Sequence, residues 1–518
     1  MRFAAKRLAV AAAAVVGLSV LLTPPATATT DTGVGVDTID WQPCAANPNA
    51  DCGSVTVPID WSHPSGPTIQ LAVSRVRAGD PAERVGSILV NPGGPGGPGA
   101  EAVESGFALS STITSRFDTI GFDPRGVGLS HAVMCGGNEV AAPHPDIPVT
   151  PAQFTQLGAY NTTLARSCRA LTGPLFDFLD TESVARDMDA IRAALGERKL
   201  NFYGISYGTL MGQEYAATFP AHVGVMVLDS NMDHSQTSTW QFLKAQSAST
   251  EANFTQFVAW CDRTPACLLH GQDVPALVAN LYARAQNGQL IDPYVGAVSP
   301  FLLISVINSL FYDPSWQQLA DELIYFQGLP TTTTTTAPTS SRDQDPPVAQ
   351  SFQPIFCEDW RLPIDNAGQL DAMRTALATV ITPDLKYSPL AMRSAIGCIG
   401  WPAKVTNPQQ RLSIHGAPPI LMLNSRYDPA TPYPWAVTAS QQSGAVLLTY
   451  DGWGHGAYFK DSQCVVDATD HYLLTGVTPP RGTHCAAVPP STTELSPQFQ
   501  PVVPTPVGPS PSIPGWLG

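Results

Sequence analysis

The segment that leaves this chain least freedom runs from Leu200 to Pro220: Leu-Asn-Phe-Tyr-Gly-Ile-Ser-Tyr-Gly-Thr, then Leu-Met-Gly-Gln-Glu-Tyr-Ala-Ala-Thr-Phe-Pro. It carries Gly204-x-Ser206-x-Gly208, the pattern of a nucleophile elbow. In an elbow a strand turns sharply into a helix and holds a serine hydroxyl out above the sheet. The turn is strained and its surroundings are crowded, so residues without a Cβ suit both flanks. The serine then stands at a helix N-terminus, where free N–H groups favour developing negative charge.

With 42 glycines in 518 residues the three-residue pattern alone says little, and its neighbours decide. Upstream, Val184, Met188, Ile191 and Leu195 recur at helical spacing, with Asp180 and Thr181 as capping residues and Gly196 as the stop. Downstream, Leu210 to Thr218 reads as a helix ending before Pro220, and Val223 to Asp229 as a buried strand. Helix, strand, elbow, helix, strand is the order of an α/β-hydrolase. The expected fold class is therefore α/β, a mostly parallel sheet flanked by helices. An idle serine in a glycine-rich turn is the alternative that this order disfavours.

The amino terminus has Arg2, Lys6 and Arg7, an apolar run from Leu8 to Leu22, and Ala26-Thr27-Ala28. That is the pattern of a secretory signal peptide, 1–28, and the run is short for a membrane span. Cleavage after Ala28 would leave 24 Lys and Arg against 42 Asp and Glu, a net charge of −18. So acidic a chain argues against nucleic acid and against anionic membrane as partners. In an exported protein the ten cysteines suggest disulfides. They fall in near pairs: Cys44/Cys52, Cys135/Cys168, Cys261/Cys267, Cys357/Cys398 and Cys464/Cys485. Sequential pairing is favoured because each pair closes a short loop, although ten cysteines allow many connectivities. Neither Cys-x-x-Cys nor His-Glu-x-x-His occurs, so no metal is expected, and no motif calls for a cofactor.

Along the chain, 29–40 reads as a leader and 41–230 as the first part of the hydrolase core. Thr68 to Arg77 alternates like an edge strand, and Gly86 to Asn91 is a buried strand running into Pro92-Gly93-Gly94-Pro95-Gly96-Gly97-Pro98-Gly99. That loop offers only backbone, and its place after a strand suits an anion-holding role rather than a linker. Phe117 to Phe122 is the next strand. Strand and crossover helix then give way over 231–405, with helical stretches at Phe254–Trp260, Val274–Ala285 and Trp316–Phe326 and six threonines at 331–336. This region is expected to be an inserted lid. The core resumes over 406–486, and 487–518 is a Pro/Ser-rich tail.

A serine nucleophile needs a base, and the base needs an orienting carboxylate. Asp428 follows the strand Ile420 to Leu423; His455, framed by Gly454 and Gly456, follows the strand Ala445 to Tyr450. Both then lie at carboxyl ends of successive strands, where open α/β sheets build their sites. Asp451 is the rival acid, on the same loop as the histidine. The other nine histidines lack this setting.

These motifs resemble those of the secreted bacterial tripeptidyl aminopeptidases, relatives of the prolyl aminopeptidases. Besides the serine, aspartate and histidine segments, the resemblance covers Asn91-Pro-Gly-Gly-Pro-Gly, Asp123-Pro-Arg-Gly-Val-Gly-Leu-Ser and Tyr472 to Cys485. The usual aminopeptidase loop has His-Gly-Gly-Pro where this chain has Pro92-Gly93-Gly94-Pro95; the secreted branch is similar to the present version. The resemblance implies release of short peptides from free N-termini through an acyl-enzyme. Ser206 would attack, His455 carry the proton and Asp428 hold the imidazole, with the N–H groups of Tyr207 and Gly94 as the oxyanion hole. Asp359, and then Glu358, would meet the substrate ammonium, because Cys357-Glu358-Asp359 is similar to an element of that group. An esterase or amidase for a small molecule stays open, since a triad does not name its acyl group. So does a silent binding protein, which an intact set of three residues disfavours.

Overall fold

In this computed structural model residues 38–332 and 346–491 are described, all within the compact unit Val36–Gly518. The segment read as a signal peptide and most of the leader, of the threonine run and of the tail lie outside them. Ten strands form one sheet: β1 (Gln42–Pro43), β2 (Asp51–Pro58), β3 (Thr68–Val76), β4 (Gly86–Asn91), β5 (Phe117–Phe122), β6 (Leu200–Ile205), β7 (Val223–Asp229), β8 (Leu421–Tyr427), β9 (Val446–Trp453) and β10 (His484–Cys485). Their spatial order is β1-β2-β3-β5-β4-β6-β7-β8-β9-β10. The first three pair antiparallel, β3 meets β5 antiparallel, and every later neighbour is parallel. This is the α/β-hydrolase arrangement.

Every residue of β4 and β5 is buried, as expected where helices cover both faces of a parallel sheet. Alternate side chains divide the core. Leu89, Phe202, Leu228 and Met422 pack on one face; Ile88, Val90, Tyr203, Val227 and Leu423 pack on the other. The helices that matter below are α1 (Pro151–Thr172), α2 (Thr181–Ala194) and α3 (Tyr207–Thr218). Asp180 caps α2 by accepting from the Ser183 N–H.

Between β7 and β8 the chain inserts seven α-helices among the described residues. They are α4 (Thr239–Arg263), α5 (Val274–Gln286), α6 (Pro300–Ser309), α7 (Trp316–Gly328), α8 (Phe352–Asp359), α9 (Ala367–Ala376) and α10 (Pro389–Gly397). α11 (Tyr433–Ser443) then joins β8 to β9, and α12 (Gln463–Thr475) precedes β10. The ten cysteines form Cys44–Cys52, Cys135–Cys168, Cys261–Cys267, Cys357–Cys398 and Cys464–Cys485. Among the described residues no helix is long and apolar enough to cross a membrane.

The register puts the site at one edge. Asn91 pairs with Gly204, Ile205 with Asp229, and Asp229 with Leu423. The glycine loop after β4, the serine after β6, Ser230 after β7 and the Asp428 loop after β8 therefore leave the sheet side by side.

Candidate active site

Ser206 sits between β6 and α3 at φ 80° and ψ −114°, a conformation costly for a residue with a side chain. The turn is held by Ser206 N–H donating to the Asp229 carbonyl at 3.0 Å and Thr209 N–H donating to the Ser206 carbonyl at 2.9 Å. A Cβ on Gly204 would lie 2.6 Å from the Gly208 carbonyl oxygen, so the first turn of α3 can close over β6 only with glycine there. From Phe202 to Ala216, Ser206 alone is not buried.

The glycine loop lies against this turn. Its Gly93 N–H donates to Asn91 Oδ1 at 2.8 Å, and Gly97 N–H donates to the Gly93 carbonyl at 2.9 Å. No acceptor among the described residues takes the N–H of Gly94 or of Tyr207. Those are the two donors expected of an oxyanion hole.

His455 Nδ1 lies 2.9 and 3.0 Å from the two carboxylate oxygens of Asp428. Asp428 is fully buried and also accepts from Ala430 N–H, Thr431 N–H and Thr431 Oγ1, each at 2.9 Å. Burial would raise its pKa, but His455, Thr431 and Ser230 outweigh that and hold it below the ordinary carboxylate value. An ionised Asp428 only accepts, so Nδ1 carries a proton and Nε2 is the nitrogen turned away from the carboxylate. Among the described residues no hydrogen bond joins Ser206 Oγ to Nε2. Such contacts commonly tighten when substrate binds.

Asp229 and Ser230 tie the serine turn to the histidine loop, and no motif pointed to them. The Asp229 carbonyl holds Ser206. Its carboxylate accepts Ala457 N–H at 2.8 Å, Tyr458 N–H at 3.0 Å and the Tyr203 hydroxyl at 2.7 Å. Ser230 Oγ accepts Gly456 N–H at 2.8 Å. The signal was present, since Asp229 closes an apolar strand where a charge is out of place. From the insertion, the Tyr312 carbonyl accepts His455 N–H at 2.7 Å, and its ring meets the imidazole edge-on at 5.2 Å between centroids. Asp451, the rival acid, turns instead to Arg426 and His484.

Asp359 and Glu358 are not where a substrate ammonium could meet them. Both are buried, at 0% and 1% exposure, on the last turn of α8. Asp359 Oδ1 accepts Thr181 N–H at 2.8 Å and Asn407 Nδ2 at 2.9 Å; Oδ2 accepts Thr181 Oγ1 and the Tyr207 hydroxyl, each at 2.6 Å. Glu358 Oε2 accepts Leu179 N–H at 2.8 Å. Burial pushes Asp359 up to about 6 and Glu358 well above the ordinary range. A sequence shows two adjacent acids as a solvated pair; here the helix that bears them is covered by protein, and internal donors take both oxygens of Asp359 and one of Glu358.

A family model described as TAP-like protein matches residues 384–485, which hold Asp428 and His455. A tripeptidyl aminopeptidase of Streptomyces coelicolor is 34% identical over 469 residues, 86% of each chain. The serine protease Hip1 of Mycobacterium tuberculosis is 31% identical over 86% of this chain and 91% of its own. A carboxylesterase B of the same organism is 32% identical over 84% and 86%.

Proposed function

We infer the reaction from one premise: the chain belongs to the tripeptidyl aminopeptidase family of α/β-hydrolase serine peptidases. It is a serine hydrolase of the aminopeptidase type, acting on peptides. Its finer function is release of short peptides, tripeptides by kinship, from free N-termini outside the cell. The signal-peptide pattern at 1–28 and five disulfides support export.

Ser206 Oγ attacks the scissile carbonyl while His455 Nε2 takes its proton, and Asp428 stabilises the imidazolium through Nδ1. The carbonyl oxygen, now an anion, is received by the N–H groups of Gly94 and Tyr207. The imidazolium protonates the departing amine, leaving an acyl-Ser206 ester. Water, deprotonated by Nε2, then attacks the ester and frees the peptide acid. The 231–405 insertion serves as the lid over this site. One observation carries the assignment: a buried histidine–carboxylate pair and two N–H groups without acceptors flank the strained Ser206.

An active-site phosphonate should label the protein at Ser206 and leave Ser206→Ala unlabelled. Peptides with free and acetylated N-termini, with products read by mass, test the exopeptidase assignment; equal cleavage of both overturns it. The carboxylesterase B relative supports an esterase for small acyl groups as the alternative. Turnover of simple esters with inert peptides would select it.

A further inference from the structure

We propose that Asp359 is a positioning residue that sets the oxyanion donor of Tyr207 through the Tyr207 hydroxyl. This deepens the serine-peptidase assignment and rests on it. Tyr207 follows Ser206 directly and opens α3. Its N–H faces the catalytic edge, while its side chain, 2% exposed, runs into the protein and ends on Asp359 Oδ2 at 2.6 Å. Donor placement in an oxyanion hole is demanding, since the donors must meet the tetrahedral oxygen at about 2.7–3.1 Å. A side chain fixed at its tip restrains the backbone at its root.

Asp359 is built to be such a fixed point. Its two oxygens take four donors, two from Thr181 at the start of α2 and one each from Asn407 and Tyr207. Its carbonyl accepts from His234 Nε2 at 2.7 Å, and His234 Nδ1 lies 3.6 Å from Glu214 Oε1 on α3. Asp359 therefore holds α3 directly at its first residue, and His234 stands between the Asp359 carbonyl and Glu214 two turns on. Trp360 packs its ring at 4.8 Å from the His234 ring, so the cluster is walled by protein. Burial lowers the His234 pKa, yet Glu214 and Asp359 together hold it above the ordinary imidazole value.

Tyr207→Phe, Asp359→Asn, Asp359→Ala and the double variant Tyr207→Phe/Asp359→Ala test the link. Two substrates are used, a free-amine peptide amide and a p-nitrophenyl ester that has no ammonium. Tyr207→Phe and Asp359→Ala should lower kcat by about 10- to 100-fold on both substrates, with KM within about twofold. The double variant should lose no more than the worse single variant. Asp359→Asn, whose amide can still donate to the Tyr207 hydroxyl, should recover part of the loss. A peptide boronate, whose adduct sets an oxygen in the hole, should bind more weakly by the same factor as kcat falls; a purely structural role would not move it. Wild-type kcat and boronate affinity in Tyr207→Phe overturn the proposal. So does an Asp359→Asn defect confined to KM of the free-amine peptide, which would return Asp359 to ammonium binding. Should Asp359→Ala fail to fold, Tyr207→Phe decides alone. Phosphonate labelling of Ser206 in every variant keeps this outcome separate from failure of the serine mechanism.

Discussion

Asp229→Asn breaks the brace between the serine turn and the histidine loop without changing the size of the side chain. In the native protein the two carboxylate oxygens take two backbone N–H groups, of Ala457 and Tyr458, and the Tyr203 hydroxyl. An amide offers one oxygen, so at least one of those N–H groups faces an NH2 instead. A buried donor left without a partner costs about 1–3 kcal/mol, and the hydroxyl can turn to accept, so it adds little. Part of that cost is recovered. Burial holds the Asp229 pKa above the ordinary value, so a neutral side chain is easier to bury. A net loss of about 1–2 kcal/mol follows. Catalysis should suffer more than stability. The loop keeps Gly456 on Ser230 and His455 on Tyr312, but it loses an anchor two or three residues past the imidazole. Misplacement on the scale of 1 Å costs about 100-fold, and a partly held loop should lose about 10- to 100-fold in kcat. Urea midpoints, with phosphonate titration to count intact sites, separate the two effects. A variant with a lowered midpoint and native kcat would show that Asp229 supports only the fold, and native values of both would refute the brace.

Gly93→Ala should abolish peptidase activity by at least about 100-fold in a protein that still folds, because its Cβ would lie 2.3 Å from the Ile205 carbonyl oxygen and 2.8 Å from Ser206 Cβ; native kcat/KM would show that the loop stands clear of the elbow. Burial first, then Asp321 and Asp292, raise Glu322 to about 7. Its folded pKa is thus above the unfolded one, so its stability contribution is complete below the unfolded value and lost as pH rises through about 7. Glu322→Gln should therefore raise the thermal midpoint by about 2–4 °C at pH 8 and leave it unchanged at pH 4; calorimetry showing equal effects at both would refute the sign. Replacing Cys464 and Cys485 by serine opens a 21-residue loop and should cost about 3 kcal/mol, read as a lower urea midpoint.

What could be read from the sequence was local. β4 and β7 are built on apolar runs, Ile88 to Val90 and Val225 to Leu228, and β5 on Phe117, Ile120 and Phe122; the expected Gly86–Asn91, Phe117–Phe122 and Val223–Asp229 coincide with them. The elbow is legible because glycine, serine and glycine are chain neighbours, so the steric demand and the residues meeting it lie within five positions. α8 offers no such signal. From Gln353 to Asp359 it is buried on every side, which leaves no polar stripe against which to detect a helical face. Asp359 was misjudged for the same reason. Its partners Thr181 and Tyr207 lie 178 and 152 residues away, and only the fold brings them together.

The insertion is joined to the catalytic edge at each of its working groups. Tyr312 takes the His455 N–H, Ser249 Oγ donates to the Asp428 carbonyl at 2.5 Å, and Asp359 takes the Tyr207 hydroxyl. α4 adds a fourth tie where Gln246 Nε2 donates to the Ala430 carbonyl at 2.8 Å, two residues past Asp428. A rigid swing of the whole insertion would break all four at once and leave buried donors and acceptors unpaired, at about 1–3 kcal/mol for each group. Access to Ser206 by that motion would also dismantle the histidine–carboxylate pair and the oxyanion donor. Substrate entry therefore has to come from parts of the insertion outside these ties. α4, Tyr312 and the end of α8 are tied to the core by these hydrogen bonds.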